Sequence, residues 1–309
     1  MPNTVNWLAA VGRLPIKVLA RAGVGVYRSR DLRHVAITIP EVLARYDHRP
    51  CIVECPLAHC RWFGPTGLAY GRESLHPYVQ SLLQSLRGEC RSYQESCLAH
   101  YWRSWRPATL AQSLGLEADS AHPMLNESPP LSDFMPWGGV EQLEALKTSI
   151  QASRAGASGF AASPVRRDIA VRQVGPKPDW FGEQRIQHLL ALYNQIVSEG
   201  YRQRASAALS YKRQHVVLDA MVRGGDVRFL VANGQHRASV LSAMGQESVP
   251  ALLNVSHKRG PSVIRRSEAE NWPLVRLGII SLPDALDVFD RVFEGRHPRG
   301  FPILMRAGD

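Results

Sequence analysis

The run from Phe229 to Leu253 constrains the fold more than any other stretch of the chain. Four apolar residues, Phe229-Leu-Val-Ala232, read as a buried strand. Asn233-Gly234 then signals a tight turn, a short helix opens on His236-Arg237, Gly245 stops it, and Val249 to Leu253 reads as a second apolar strand. A strand that turns sharply into a helix aims the unbonded N–H groups of the first helical turn at one spot, and the helix dipole makes that spot electropositive. Gly234 permits such a turn, because glycine tolerates φ > 0 and puts no Cβ in a ligand's way. His236 and Arg237 add donors suited to oxyanions. The competing reading is an ordinary β-turn-α unit with Arg237 turned to solvent.

In these features the segment resembles the ParB/sulfiredoxin superfamily, where a strand ends in a Gly-x-(His/Arg)-Arg element. A small-residue helix, a glycine and a Val-Pro strand follow there, as Gly234, His236, Arg237, Ala238, Gly245, Val249 and Pro250 do here. The helix-like run Glu183 to Tyr201 also looks like the one that ends in "Ser-Ile-x-x-x-Gly" in that family, and the likeness spans roughly residues 170–256. Three departures narrow the activity. Sulfiredoxins attack with a cysteine where this chain has Gln235, which cannot form a thiolate. Partition-type ParB proteins carry Glu-Arg-Arg and then a helix-turn-helix domain, for which too little chain follows Leu253. Asn233-Gly-Gln-His-Arg is close to the Asp-Gly-x-His-Arg of nucleotide-using small-molecule kinases, except that Asn233 removes a carboxylate that could orient a phosphate or a metal.

The resemblance implies an ATP- or ADP-binding phosphotransferase acting on a small or sugar-like hydroxyl, with or without Mg²⁺. Its phosphate cradle would be Asn233, Gly234, Gln235, His236 and Arg237, with Arg185 beside it and Glu183 and His236 as catalytic groups. Lys258, Arg259, Arg265 and Arg266 follow the second strand and could close over phosphates. The alternative is a nucleotide-gated DNA-binding or regulatory protein of ParB type. A nuclease is a poorer third option, since no cluster of carboxylates stands out.

Charge agrees with an anionic partner without choosing it. Lys and Arg number 37 against 27 Asp and Glu, a formal +10, which favours nucleic acid, nucleotide phosphates or anionic lipid. The interleaved Tyr93, Tyr101, Trp102, Arg103, Trp105 and Arg106 could stack single-stranded bases, although tryptophans three apart on a helix more often anchor a core. Five cysteines leave no complete disulfide framework, which suits a cytoplasmic protein, and Cys51, Cys55 and Cys60 lack metal-site spacing. They are expected as buried thiols. No run of about 18 apolar residues announces a spanning helix. Arg13, Lys17 and Arg21 share a face of an N-terminal amphipathic segment, read as a docked helix in preference to a peripheral membrane contact.

The expected architecture is α+β, with a ParB/sulfiredoxin-like mixed α/β module in the C-terminal half. Residues 153–166, small and glycine-rich, are expected as a linker or mobile loop between an N-terminal α+β region, 1–152, and the nucleotide-binding module, 167–309. Val35 to Pro40 and Cys51 to Cys55 look strand-like, His76 to Leu86 and Thr109 to Leu116 helical, and 126–139 an extended loop. Ser281 should cap a C-terminal helix with Pro283 in its first turn and Ala285, Leu286, Val288, Phe289, Val292 and Phe293 on its apolar face.

Overall fold

A two-residue turn, Gly224-Gly225 with Gly224 at φ +61°, folds the chain into the hairpin from which the rest of the sheet is built. The computed structural model describes residues 29–46, 49–117, 122–127, 129, 134–138, 147, 173–201, 215–253, 261–304 and 306–307. The hairpin strands are β4 (Val216–Arg223) and β5 (Asp226–Asn233), paired antiparallel from Val217↔Asn233 to Arg223↔Asp226. Around them stand β1 (Arg30–Asp31), β2 (Cys51–Pro56), β3 (Cys60–Trp62), β6 (Ser248–Leu253) and β7 (Val263–Arg265). The order is β1-β2-β6-β4-β5-β3, with β7 on β4 beyond the end of β6. Parallel and antiparallel pairings mix: β2 runs antiparallel to β6 and β3 parallel to β5.

Eight described helices flank the sheet: α1 (Ile39–Arg45), α2 (Pro77–Arg87), α3 (Cys97–Ser104), α4 (Leu110–Leu114), α5 (Asp179–Glu199), α6 (Gln235–Ala243), α7 (Pro273–Arg276) and α8 (Leu282–Glu294). Strand alternation serves two cores, because successive side chains point to opposite faces. Phe229 and Val231 join a cluster with Trp62, Tyr78, Leu82, Leu98, Leu189 and Val240, drawn from the β3 side and α2, α3, α5 and α6. Leu230 between them, with Met221 and Ile264, joins another with Leu110, Leu114, Trp272, Phe289 and Phe293. The chain is thus an α+β protein with a mixed sheet covered by helices on both faces.

This arrangement crosses the expected division of the chain. β1 to β3 precede residues 153–166 and β4 to β7 follow them, yet all seven share one sheet. The 153–166 segment itself, and Arg13, Lys17 and Arg21, lie outside the described residues. One element differs from its sequence reading. Val35 to Pro40 is not a strand: Thr38 caps α1, its Oγ1 accepting from the Glu41 amide at 3.4 Å while the Glu41 carboxylate accepts from the Thr38 amide at 2.8 Å. This reciprocal cap outweighs the alternating Val35, Ile37 and Ile39, and Val35 stays 51% exposed.

Candidate phosphate corner

Gly234 is where β5 becomes α6. It adopts φ +81°, and a Cβ there would lie 3.0 Å from the Val216 Cα and 3.1 Å from the His215 carbonyl oxygen. Both the backbone angle and the contact therefore call for glycine. Asn233 secures the turn, its Oδ1 accepting from the Gly234 amide at 2.7 Å. The first helical bond is Ala238 N to Gly234 O at 3.0 Å, so the amides of Gln235, His236 and Arg237 precede it, and the N-cap residue, Gly234, has no side chain to cap them. Asn233 is exposed and residues 234–237 half-buried, which leaves the corner accessible.

The His236 side chain turns against its neighbours. Its ring stacks on Tyr78 of α2 at 5.1 Å and 15°, and meets the edge of His188 of α5 at 4.8 Å and 86°. Its Nε2 is sealed from solvent and, among the described residues, has no hydrogen-bond partner. Burial, then the charges of Arg185, His188 and Arg237, push the imidazole down to about 3. His236 is therefore a neutral hydrogen-bonding group at neutral pH. Arg237 acts on both His188 and His215, lowering each after burial has done so, and its guanidinium interacts with the Tyr201 hydroxyl.

The sequence-predicted residues are thus partly brought together. Asn233, Gly234, Gln235, His236 and Arg237 form the turn and first helical turn, and Arg185 acts on His236 from α5. Glu183 stands apart. It is exposed, with Gln94 donating to it at 3.5 Å, and five residues of helix place it about 140° around α5 from His188. Lys258 and Arg259 lie outside the described residues, while Arg266 is held by Asp290 at 2.8 Å and Arg265 lies 3.4 Å from Glu268. Trp102, Trp105, Tyr93 and Tyr101 are core residues with at most 5% of their surface exposed, which leaves no aromatic platform for bases there. Cys51, Cys55, Cys60 and Cys97 are buried thiols, and burial raises Cys55 further beside Cys60, 3.8 Å away. Among the described residues no group of His, Cys, Asp and Glu is placed to hold a metal ion, and no helix is long and apolar enough to cross a membrane.

Four residues of the corner were not singled out from sequence: Tyr78, His188, Tyr201 and His215. His188 had a usable signal, since it lies three residues after Arg185 and shares its helix face. Tyr78 had none, because only the packing of α2 on α6 brings it to His236. Compared with protein-family models, curated proteins and solved structures, the chain matches none of them.

Proposed function

We propose that the Gly234 corner binds the phosphates of a nucleotide, ATP or ADP, and that the chain is a phosphotransferase acting on a small or sugar-like hydroxyl. One observation carries the proposal: an accessible helical first turn, whose N-cap Gly234 supplies no side-chain cap, lies beside a buried imidazole that feels the charges of Arg185 and Arg237 and whose Nε2 has no hydrogen-bond partner among the described residues. Backbone N–H groups and fixed cations in a partly desolvated site are what an oxyanion needs, and the same groups offset charge in a loose phosphoryl-transfer transition state. His236, neutral in the ligand-free corner, serves there as a hydrogen-bonding group. Glu183 has no part in the proposed cradle.

Thermal unfolding with ATP, ADP and inorganic phosphate, each with and without Mg²⁺, tests this reading. A ligand at a hundred times its Kd should stabilise the native state by about 2.7 kcal/mol. Arg237→Ala should abolish the shift and any transfer, while leaving the unliganded melting temperature within a few degrees. Absence of a shift with every ligand, or an unchanged shift in the variant, refutes it. Retention of DNA that weakens steeply with salt would instead favour the nucleotide-gated DNA-binding or regulatory reading, which the +10 charge also suits.

A further inference from the structure

Two imidazoles meet where the anion would dock. His188, exposed on α5, sets its ring edge against His236, which in turn lies flat on Tyr78. The titratable and charged groups facing this pair come from every side. α5 contributes Arg185, α6 contributes Arg237, α2 contributes Tyr78, and the residue capping α2 is His76. Tyr201 stands beside Arg237 and senses Glu54 of β2. His215, just before β4, senses Arg237, Arg33 and Asp31, and Asp31 is itself held by Arg33 at 2.6 Å. Around the ring pair itself the strongest neighbouring charges are basic.

A proton on either ring would therefore face the charges of Arg185 and Arg237, and the ligand-free corner disfavours the charged form of both rings. An oxyanion seated on the amides of residues 235–237 reverses that field. Protonation and anion binding then favour each other, by equal amounts in each direction. Ring contact limits the gain to one proton, since two imidazolium ions edge to face would repel.

Resting on the phosphate-binding reading above, we infer that this corner takes up its anion together with one proton, shared by the His188–His236 pair. The ligand class is a compact dianionic oxyanion, such as a terminal phosphate. Its affinity falls as pH rises.

Calorimetric titration with sulfate, an oxyanion whose own protonation is constant across the neutral range, tests the inference in two buffers of different ionisation enthalpy. Near pH 6 the two heats should differ by the equivalent of about half to one proton per anion, and Kd should weaken by up to about tenfold per pH unit above that. His188→Asn, at an exposed position, should bind sulfate more weakly at acid pH with a flatter pH dependence and at least half of the uptake lost. Sulfate binding with no buffer dependence, or undiminished uptake in the variant, overturns the inference while leaving the phosphate site standing. Titrations without heat from either sulfate or ADP overturn both.

Discussion

His76 and His236 are where acid should act on this protein. His76 is fully buried between the rings of Trp62, at 4.7 Å, and Tyr70, at 4.4 Å. Its Nδ1 accepts from the Tyr78 amide at 3.3 Å, which requires the neutral ring, and among the described residues its Nε2 has no partner. Burial holds it down to about 3, as burial and neighbouring cations hold His236. In the unfolded chain each titrates near 6.5. The depressed folded values mean that the unfolded state binds more protons between those limits. Stability is therefore full above about pH 6.5 and is lost as pH falls towards 3, at up to about 1.4 kcal/mol per pH unit for each residue. Urea unfolding of the ligand-free protein at pH 7 and pH 5 should show a loss on the order of 4 kcal/mol for the pair. Replacing His76 by Phe should roughly halve the slope even where it lowers overall stability. A stability that does not change over that interval would contradict the neutral, buried assignment.

Among elements, α8 shows how local signals and tertiary packing divide the work. Ser281 Oγ accepts from the Asp284 amide at 3.2 Å, Pro283 occupies the first turn, and Gly295 closes the far end at φ +76°. Between these caps Ala285, Val288, Phe289, Val292 and Phe293 are buried against Trp137, Trp272 and the sheet. Because Ser281 is exposed and its hydroxyl serves the cap, Ser281→Ala should cost about 1 kcal/mol in urea unfolding. A cost indistinguishable from zero would mean that packing alone holds this end. Helices with an apolar period were legible in the sequence, as α2 and α8 were, while α5 was read from its resemblance to a family helix; the β5-turn-α6 corner, whose signals lie within a dozen residues, was legible too. Where two local signals compete the sequence misleads: the alternation of Val35, Ile37 and Ile39 hides the Thr38–Glu41 cap. β4 was readable in hindsight from Val216 to Val222 followed by Gly224-Gly225, but an apolar run alone does not reveal that it pairs with β5, β6 and β7. The stacking of Tyr78 on His236 depends on long-range packing that no local pattern encodes.

At the scale of the whole molecule, the sheet makes the two halves of the chain depend on each other. β2 pairs with β6 along six residues, Cys51↔Leu253 to Pro56↔Ser248, and β3 with β5 along three. Both partners of each pair are needed for the shared core, where Trp62, Tyr78, Leu82 and Leu98 from the first half pack with Val216, Phe229, Val240 and Val249 from the second. The candidate phosphate corner inherits this dependence through Tyr78. A fragment of residues 167–309 would expose the β6 edge, with its buried Val249, Ala251, Leu252 and Leu253, and would lose the residues that cover one face of β5. Long apolar strand edges of that kind associate rather than stay monomeric. The full chain should accordingly unfold in one calorimetric transition, with fragment 167–309 alone aggregated or lacking a cooperative transition, whereas coexpression with 1–152 should restore a soluble complex. If 167–309 alone gave a soluble monomer melting at the temperature of the full chain, the ladder between β2 and β6 would contribute nothing to stability. The corner would then be a self-sufficient module, and Tyr78 could be deleted without disturbing His236.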